Sequence, residues 1–293
     1  MRFSYHTHTQ YCDGKATAAE MAAAAAAAGY SFLGFTSHAP LPFKTSWNMA
    51  WEDLEAYASE VRAAAAAWRT RGLAIFLGLE IDYIAAGAAG AAPAAWPGDA
   101  AYDRIAPDFR LGSVHFLTGL ADDEFTVDEP AGDFERHMAG LGNDAAAVWT
   151  QYYRNLSAMV GRGGFDILGH FDLVKKNNAG NRWFDEGGAE YLAAAFEAVD
   201  FAAEHGCVAE INTGGLARGK IADVYPSAPI LRRMRQKGLR LTLGDDAHAP
   251  EHLGAFQGAA IDAARSAGYK SLWYMDAPGS WKEIGIDELQ RGL

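Results

Sequence analysis

Short apolar runs alternate with helix-patterned stretches along nearly the whole chain, and that alternation leaves few folds open. RFSYH, SFLGFTSH, LAIFLGLEI, FRLGSVHFL, FDILGH, CVAEIN and LRLTLGDDAH read as strands. Between them lie an alanine-rich run after Thr17, the stretch WEDLEAYASEVRAAAAAWRTRG, and helical patterns around Ala145–Val160, Glu190–His205 and Ile230–Lys237. A last helix near Gly254–Ala267 leads to SLWYM. Thr17 with Glu20 three residues later has the form of a capping box, and Gly29 and Gly72 stand where helices stop. Repeated strand–helix units imply a parallel sheet with crossover helices. Sustained over about 250 residues, the repeat favours a closed, TIM-like β/α barrel; an open doubly wound sheet is the alternative. No GxGxxG follows the first strand and no Walker A sequence occurs, which argues against a Rossmann nucleotide site. Two stretches break the rhythm. Residues 85–107 are rich in Ala, Gly and Pro, and residues 118–144 read as a polar, Gly-containing excursion.

The position of the histidines is more informative than their number. Of nine, six sit at or just beyond the C-terminal end of an expected strand: His6, His8, His38, His115, His170 and His248. In a β/α barrel those ends converge on one mouth, where active sites lie. Acidic residues hold equivalent places. Glu80 ends LAIFLGLE, Asp245 and Asp246 follow LRLTLG, and Asp13 lies seven residues beyond His6. A strand sends His6 and His8 to one face, which chelation requires and a solvated face also permits. A lone strand-end histidine is ordinarily a hydrogen-bonded polar residue; six in phase with strand ends point to a metal centre. Imidazole with carboxylate suits Zn, Mn or Fe, and the lack of a cysteine cluster argues against a closed structural zinc site. His137, His205 and His252 fall outside the pattern and are expected to be structural or surface residues. Cys12 is expected to be a packed thiol.

Composition narrows the partners. The net charge of -12 over 293 residues offers no general basic surface for a nucleic-acid backbone. The two cysteines have no CxxC spacing. The N-terminus lacks a basic segment followed by an apolar run, and the alanine-rich stretch is too short to span a bilayer. These features suggest a soluble, cytoplasmic chain that does not engage membranes.

The segments HTH at 6–8, SH at 37–38, GLE at 78–80, SVH at 113–115, GHFD at 169–172 and GDDAH at 244–248 together resemble the PHP (polymerase and histidinol phosphatase) superfamily, in the family's order. GSVHFL, GHFDLVKK, and EINTGGL followed by VYPS are most similar to its monofunctional histidinol-phosphatases. The resemblance implies one domain over residues 1–293, a distorted (β/α)7 barrel, three divalent metal ions, and hydrolysis of L-histidinol phosphate in histidine biosynthesis. It implies that His6, His8, Glu80 and Asp246 hold one ion, and that Glu80 bridges to a second held by His115 and His170. Asp13, His38 and His248 would hold the third. Many relatives have histidine where this chain has Asp13. Glu80, Asp246 and His248 would carry the catalytic weight.

In that scheme a metal-bridging hydroxide attacks phosphorus in line, and the sequence has no DxDx(T/V) nucleophile for a covalent route. Arg218, Lys176 and then Arg182 are candidates for the phosphate, although a loop cation is usually just solvated. Trp47 and Asn48 lie in a loop that could cover the mouth. Asp82 or Asp172 could receive the substrate's ammonium, or could be structural. Two other readings remain open: action on a different phosphoester such as a nucleotide, and a non-catalytic metal-binding module. A related amidohydrolase is disfavoured because no strand-end lysine stands in the right place.

Overall fold

The computed structural model describes residues 1–86, 92–120 and 125–292. Seven parallel strands lie side by side in chain order: β1 (Arg2–Ser4), β2 (Tyr30–Phe35), β3 (Ala74–Asp82), β4 (Phe109–Ser113), β5 (Ile167–Leu168), β6 (Val208–Asn212) and β7 (Arg240–Gly244). The sheet curls until its ends meet. Tyr5 N donates to Leu243 O (3.3 Å), His8 N donates to Ala247 O (2.9 Å), and Thr7 pairs with Ala247 as a parallel bridge. The result is the expected (β/α)7 barrel, distorted at β5, where only two residues keep strand pairing. Strands covered on both faces read as nearly continuous apolar runs. Accordingly, eight of the nine residues of β3 and all five of β6 are buried.

The helices are α1 (Ala18–Ala27), α2 (Leu54–Trp68), α3 (Ala131–Gly140), α4 (Ala145–Arg162), α5 (Ala189–Glu204), α6 (Gly214–Ala217), α7 (Ala228–Lys237), α8 (Gln257–Ser266) and α9 (Ile286–Arg291). The capping box forms as its spacing predicts: Glu20 N donates to Thr17 Oγ1 (3.2 Å), and Thr17 N donates to the Glu20 carboxylate (2.9 Å). Such caps contribute about 1 kcal/mol. Small residues let α1 lie close to the barrel, burying Ala18, Met21, Ala22 and Ala25. After α2, Gly72 takes a φ of 88°, a left-handed turn that a side chain would strain.

One reading from the sequence changes and one stretch gains an assignment. The excursion over residues 118–144 contains α3, whose buried face is Phe134, His137 and Met138. That helical spacing is diluted by glycine and charge. SLWYM, to which the sequence reading assigns no element, starts a strand outside the barrel: β8 (Ser271–Ala277) pairs antiparallel with β9 (Ser280–Gly285). Tyr5 ties this hairpin to the barrel, donating through its hydroxyl to Met275 O (2.8 Å) and accepting from Met275 N (2.7 Å). Trp281 of β9 lies beside Val208 and Arg240, at the N-terminal ends of β6 and β7. The hairpin therefore closes the end of the barrel opposite the histidines. No helix among the described residues is long and apolar enough to cross a membrane.

A candidate metal centre at the mouth of the barrel

The strand ends deliver their polar side chains to one place. His6 and His8 follow β1, His38 follows β2, His115 follows β4, His170 follows β5, and Asp246 and His248 follow β7. Glu80 lies within β3 and pairs with His38 as an isolated bridge. All of these except His248 are buried, so the cluster forms a layer of the core rather than a solvated rim.

Glu80 is the centre of the arrangement. Its Oε2 is 3.2 Å from His6 Nε2, 3.5 Å from His8 Nε2 and 3.0 Å from His38 Nδ1. Its Oε1 is 2.9 Å from His170 Nε2 and 3.8 Å from His115 Nε2. Asp246 Oδ1 stands 3.2 Å from His8 Nε2 and 3.8 Å from His6 Nε2. On the outer side, Asp13 meets His248 (Nε2 to Oδ2, 3.1 Å), His8 (3.7 Å) and His38 (3.8 Å). Three overlapping sets have ligand atoms mutually within 4.8 Å: His6, His8 and Glu80; His38, Glu80 and His115; and His8, Asp13, His38 and His248. Every sequence-derived ligand position thus falls in one cluster. His38 does more than expected, facing Glu80 with one ring nitrogen and Asp13 with the other.

The residues suit divalent cations. His6 Nε2, His8 Nε2, His38 Nδ1 and Glu80 Oε2 are buried and have no hydrogen-bond partner among the described residues, although they approach one another closely. His6 donates from Nδ1 to Glu210 (3.0 Å) and His115 donates from Nδ1 to Asp82 (2.7 Å), which leaves a lone pair on each neutral ring's Nε2, facing carboxylate oxygen. A positive charge between them resolves that conflict. The electrostatics agree. Burial opposes a charge on His6, yet Glu210, Glu80 and Asp246 outweigh it and raise its pKa well above the ordinary value. A pocket that stabilises an extra proton this strongly also suits a cation. Burial, then His248 and His38, push His8 down to about 3, so it stays neutral and available as a ligand.

The outer set differs. Arg218 has only donors, so its 2.8 Å contact with His248 Nδ1 places the histidine's own proton on Nε2, towards Asp13. A cation there must displace that proton. Arg218 also donates to Asp246 O (2.8 Å) and to Asp246 Oδ2 (2.9 Å), holding Asp246 in a left-handed backbone at φ 50°.

Several residues that orient the cluster escaped the sequence reading. Glu210, on β6, accepts from His6 Nδ1, His170 N (2.9 Å) and Asn212 Nδ2 (2.8 Å). Ser113 donates to Glu80 Oε1 (2.7 Å). The only available signal for Glu210 was a charged residue inside an otherwise apolar strand, CVAEIN. Asp245, adjacent to Asp246, is pushed up to about 6 by burial, with Tyr30 and Gln257 bonded to it; it braces the turn and does not face the cluster. Cys12 Sγ lies 3.5 Å from His8 Nδ1.

The remaining candidates separate. Asp82 is fully buried on His115, and Asp172 is fully buried on Ser227 N (2.9 Å) and Lys175 Nζ (3.2 Å). Neither is open to a substrate's ammonium, so of the two roles left open by the sequence their burial favours the structural one. Trp47 stands edge-on to His38 (ring centroids 4.6 Å) and His115 (5.3 Å), and stacks on Phe116 (5.5 Å), forming one wall of the mouth. Asn48 braces that loop through Ala39 O (2.9 Å). Lys176 pairs with Asp128 (3.0 Å). Arg182 reaches out to Glu135 and is half exposed, so it is not drawn into the cluster. His137 is a buried partner of Glu129 (2.6 Å), and His205 turns back on its own helix at Phe201 O (2.8 Å). His252 accepts from His248 N (3.3 Å).

Comparison with known proteins gives a consistent picture. The PHP domain pattern matches residues 4–214. The chain is 31% identical over 280 residues to a protein of Deinococcus radiodurans named "probable histidinol-phosphatase", a match covering 92% of this chain and 95% of that one. It is 29% identical to the histidinol-phosphatase of Bacillus subtilis over 85% of this chain and 94% of the relative. Among solved structures it is similar in fold to the histidinol phosphate phosphatase of Lactococcus lactis, solved with zinc, L-histidinol and phosphate. That match has a TM-score of 0.65 at 18% identity and covers 96% of this chain and 98% of the other.

Proposed function

The chain belongs to the PHP domain family, and from that premise we propose that it is a metal-dependent phosphatase that hydrolyses L-histidinol phosphate to L-histidinol and phosphate. The observation that carries the reading is the convergence of unpartnered nitrogen and carboxylate atoms on Glu80. The substrate follows from the two relatives named above and from the ligands of the Lactococcus lactis structure. In this reading the residues 1–293 form one domain, because β7 and the chain beyond residue 214 complete the barrel that β1 begins. The enzyme's place is in histidine biosynthesis, in the cytoplasm.

Three ions would draw on the three overlapping sets, joined by Asp246 and His170, which also face them. His6, His8, Glu80 and Asp246 would hold the first. Glu80, His115 and His170 would hold the second, with His38 in reach. Asp13, His38 and His248 would hold the third. Divalent cations bound there supply a nucleophile from water at neutral pH and neutralise the phosphoryl oxygens. The chain's own part is to fix them. Glu210 and Asp82 lock the rings of His6 and His115 so that Nε2 faces inward, an arrangement typical of metal-ligating histidines. Arg218 stands at the outer edge, bonded to Asp246 and His248, where a phosphoryl oxygen can share its remaining donors.

Elemental analysis of protein purified without added metal, paired with phosphate release from histidinol phosphate and from a nucleotide panel, tests this reading. Histidinol phosphate is expected to win in kcat/KM by at least about tenfold; preference for a nucleotide would replace the substrate while leaving the phosphoesterase. Asp13→Ala is expected to lose one ion and keep the other two, because Asp13 belongs to one of the three sets alone, although it also faces His8. A full complement in that variant would remove Asp13 from the ligands.

A further inference from the structure

The substrate proposed above carries an ammonium a few bonds from a phosphate dianion, and the inference here rests on that reading. Asp128 carries a negative charge on a segment tied to the cluster. Val127 N donates to His115 O (2.9 Å), so Asp128 is one residue beyond the backbone pairing that anchors a proposed ligand. Its carboxylate is 25% exposed and meets Lys176 Nζ, on a side chain 16% exposed, at 3.0 Å. Lys176 lies six residues after His170, in the loop leaving β5. The two line a cavity of about 570 Å³ with Asn177, Arg182 and Lys220. Burial disfavours the Asp128 charge, but Lys176 and then His115 outweigh it and hold the carboxyl well below the usual carboxylate range.

A mostly buried ion pair on the loops flanking the cluster therefore carries the two charges that complement the substrate. We propose that this pair is exchanged for the substrate: Asp128 receives the ammonium, and Lys176 turns to a phosphoryl oxygen. An ion pair this far buried is costly to open unless both charges find new partners, and the substrate supplies both. Two charge-assisted hydrogen bonds replace one. A phosphate monoester without an amine draws Lys176 away only by leaving Asp128 unpaired where solvent is partly excluded, which penalises the wrong substrate. The pair thus acts as a selectivity filter for amino-phosphates.

The test compares L-histidinol phosphate with the same ester lacking its amine, 3-(imidazol-4-yl)propyl phosphate. Wild-type protein, Asp128→Asn, Asp128→Glu and Lys176→Met are each assayed for KM, kcat and metal content. Wild-type protein is expected to favour the amine-bearing ester in kcat/KM. Asp128→Asn is expected to shrink that preference at least about tenfold, chiefly through KM, with metal content retained. Asp128→Glu should recover part of the preference, and Lys176→Met should raise KM for both esters. Equal losses on both esters in Asp128→Asn, or loss of metal in that variant, would overturn the exchange and make Asp128 a brace for His115. A wild-type protein indifferent to the amine would overturn it as well while leaving the phosphatase intact. Failure of wild-type protein on both esters would instead remove the underlying function.

Discussion

Glu80→Ala is expected to abolish turnover of histidinol phosphate and to lower the metal content of the purified protein. No other side chain in the cluster has as many partners: Oε2 faces His6, His8 and His38, and Oε1 faces His170 and His115. Its charge is secure without metal. Burial works against it, but His38 and His6 keep the carboxyl well below the ordinary range. Alanine leaves five imidazoles around an empty centre with no bridging anion. Charge stabilisation by bound metal is worth several kcal/mol of barrier, so the loss in kcat is at least about 10³-fold. Glu80→Gln separates charge from shape. The amide can still accept from Ser113 but is a poor bridge between cations, so it too should lose metal and activity. Elemental analysis and phosphate release on both variants check this. Native metal content with native turnover in Glu80→Ala would refute the central position of Glu80.

The same residues show why the inner layer of the site was legible and the rest was not. In a parallel barrel the end of every strand points to one mouth, so a histidine or carboxylate at a strand end announces its location without any knowledge of contacts. His6, His8 and Asp246 were placed by that rule, and Glu80, two residues inside the end of β3, by its position near that end. Glu210 obeys a different rule. It sits in the middle of β6 and points inward, and a single charged residue in an apolar strand gives no hint of which ring it orients. Asp82 and Asp172 stayed ambiguous for a related reason: sequence shows an acid near the mouth but not whether it is already bonded. Asp128 drew no notice because it lies in the polar, Gly-containing excursion, and only the backbone bond from Val127 N to His115 O ties that segment to the cluster.

Gly244→Ala is expected to be among the most damaging single-methyl changes in the chain, although Gly244 touches no metal. A Cβ on Gly244 would lie 2.7 Å from Glu210 Cδ, would collide with Glu210 Oε2, and would press to 3.3 Å from His6 Cβ. A collision with the tip of a flexible side chain is usually cheap, but Glu210 is not free to swing. It is buried and held at once by His6, His170 and Asn212. The methyl group therefore either strains the core, at a cost of about 1–3 kcal/mol, or expels Glu210 and releases His6. Loss of such an orienting partner typically costs about 10–100-fold in metal affinity. The two outcomes separate in a double-mutant cycle. Glu210→Ala alone should weaken metal binding by a similar factor, and the carboxylate it removes is the group that the added methyl would strike. Gly244→Ala added to Glu210→Ala should then cost little more in affinity, and should be better tolerated in Tm than in the parent. Metal titration and thermal unfolding of the four proteins measure both couplings. Fully additive losses would mean that the glycine acts through some contact other than Glu210, and that the carboxylate is not what ties β7 to the ring of His6.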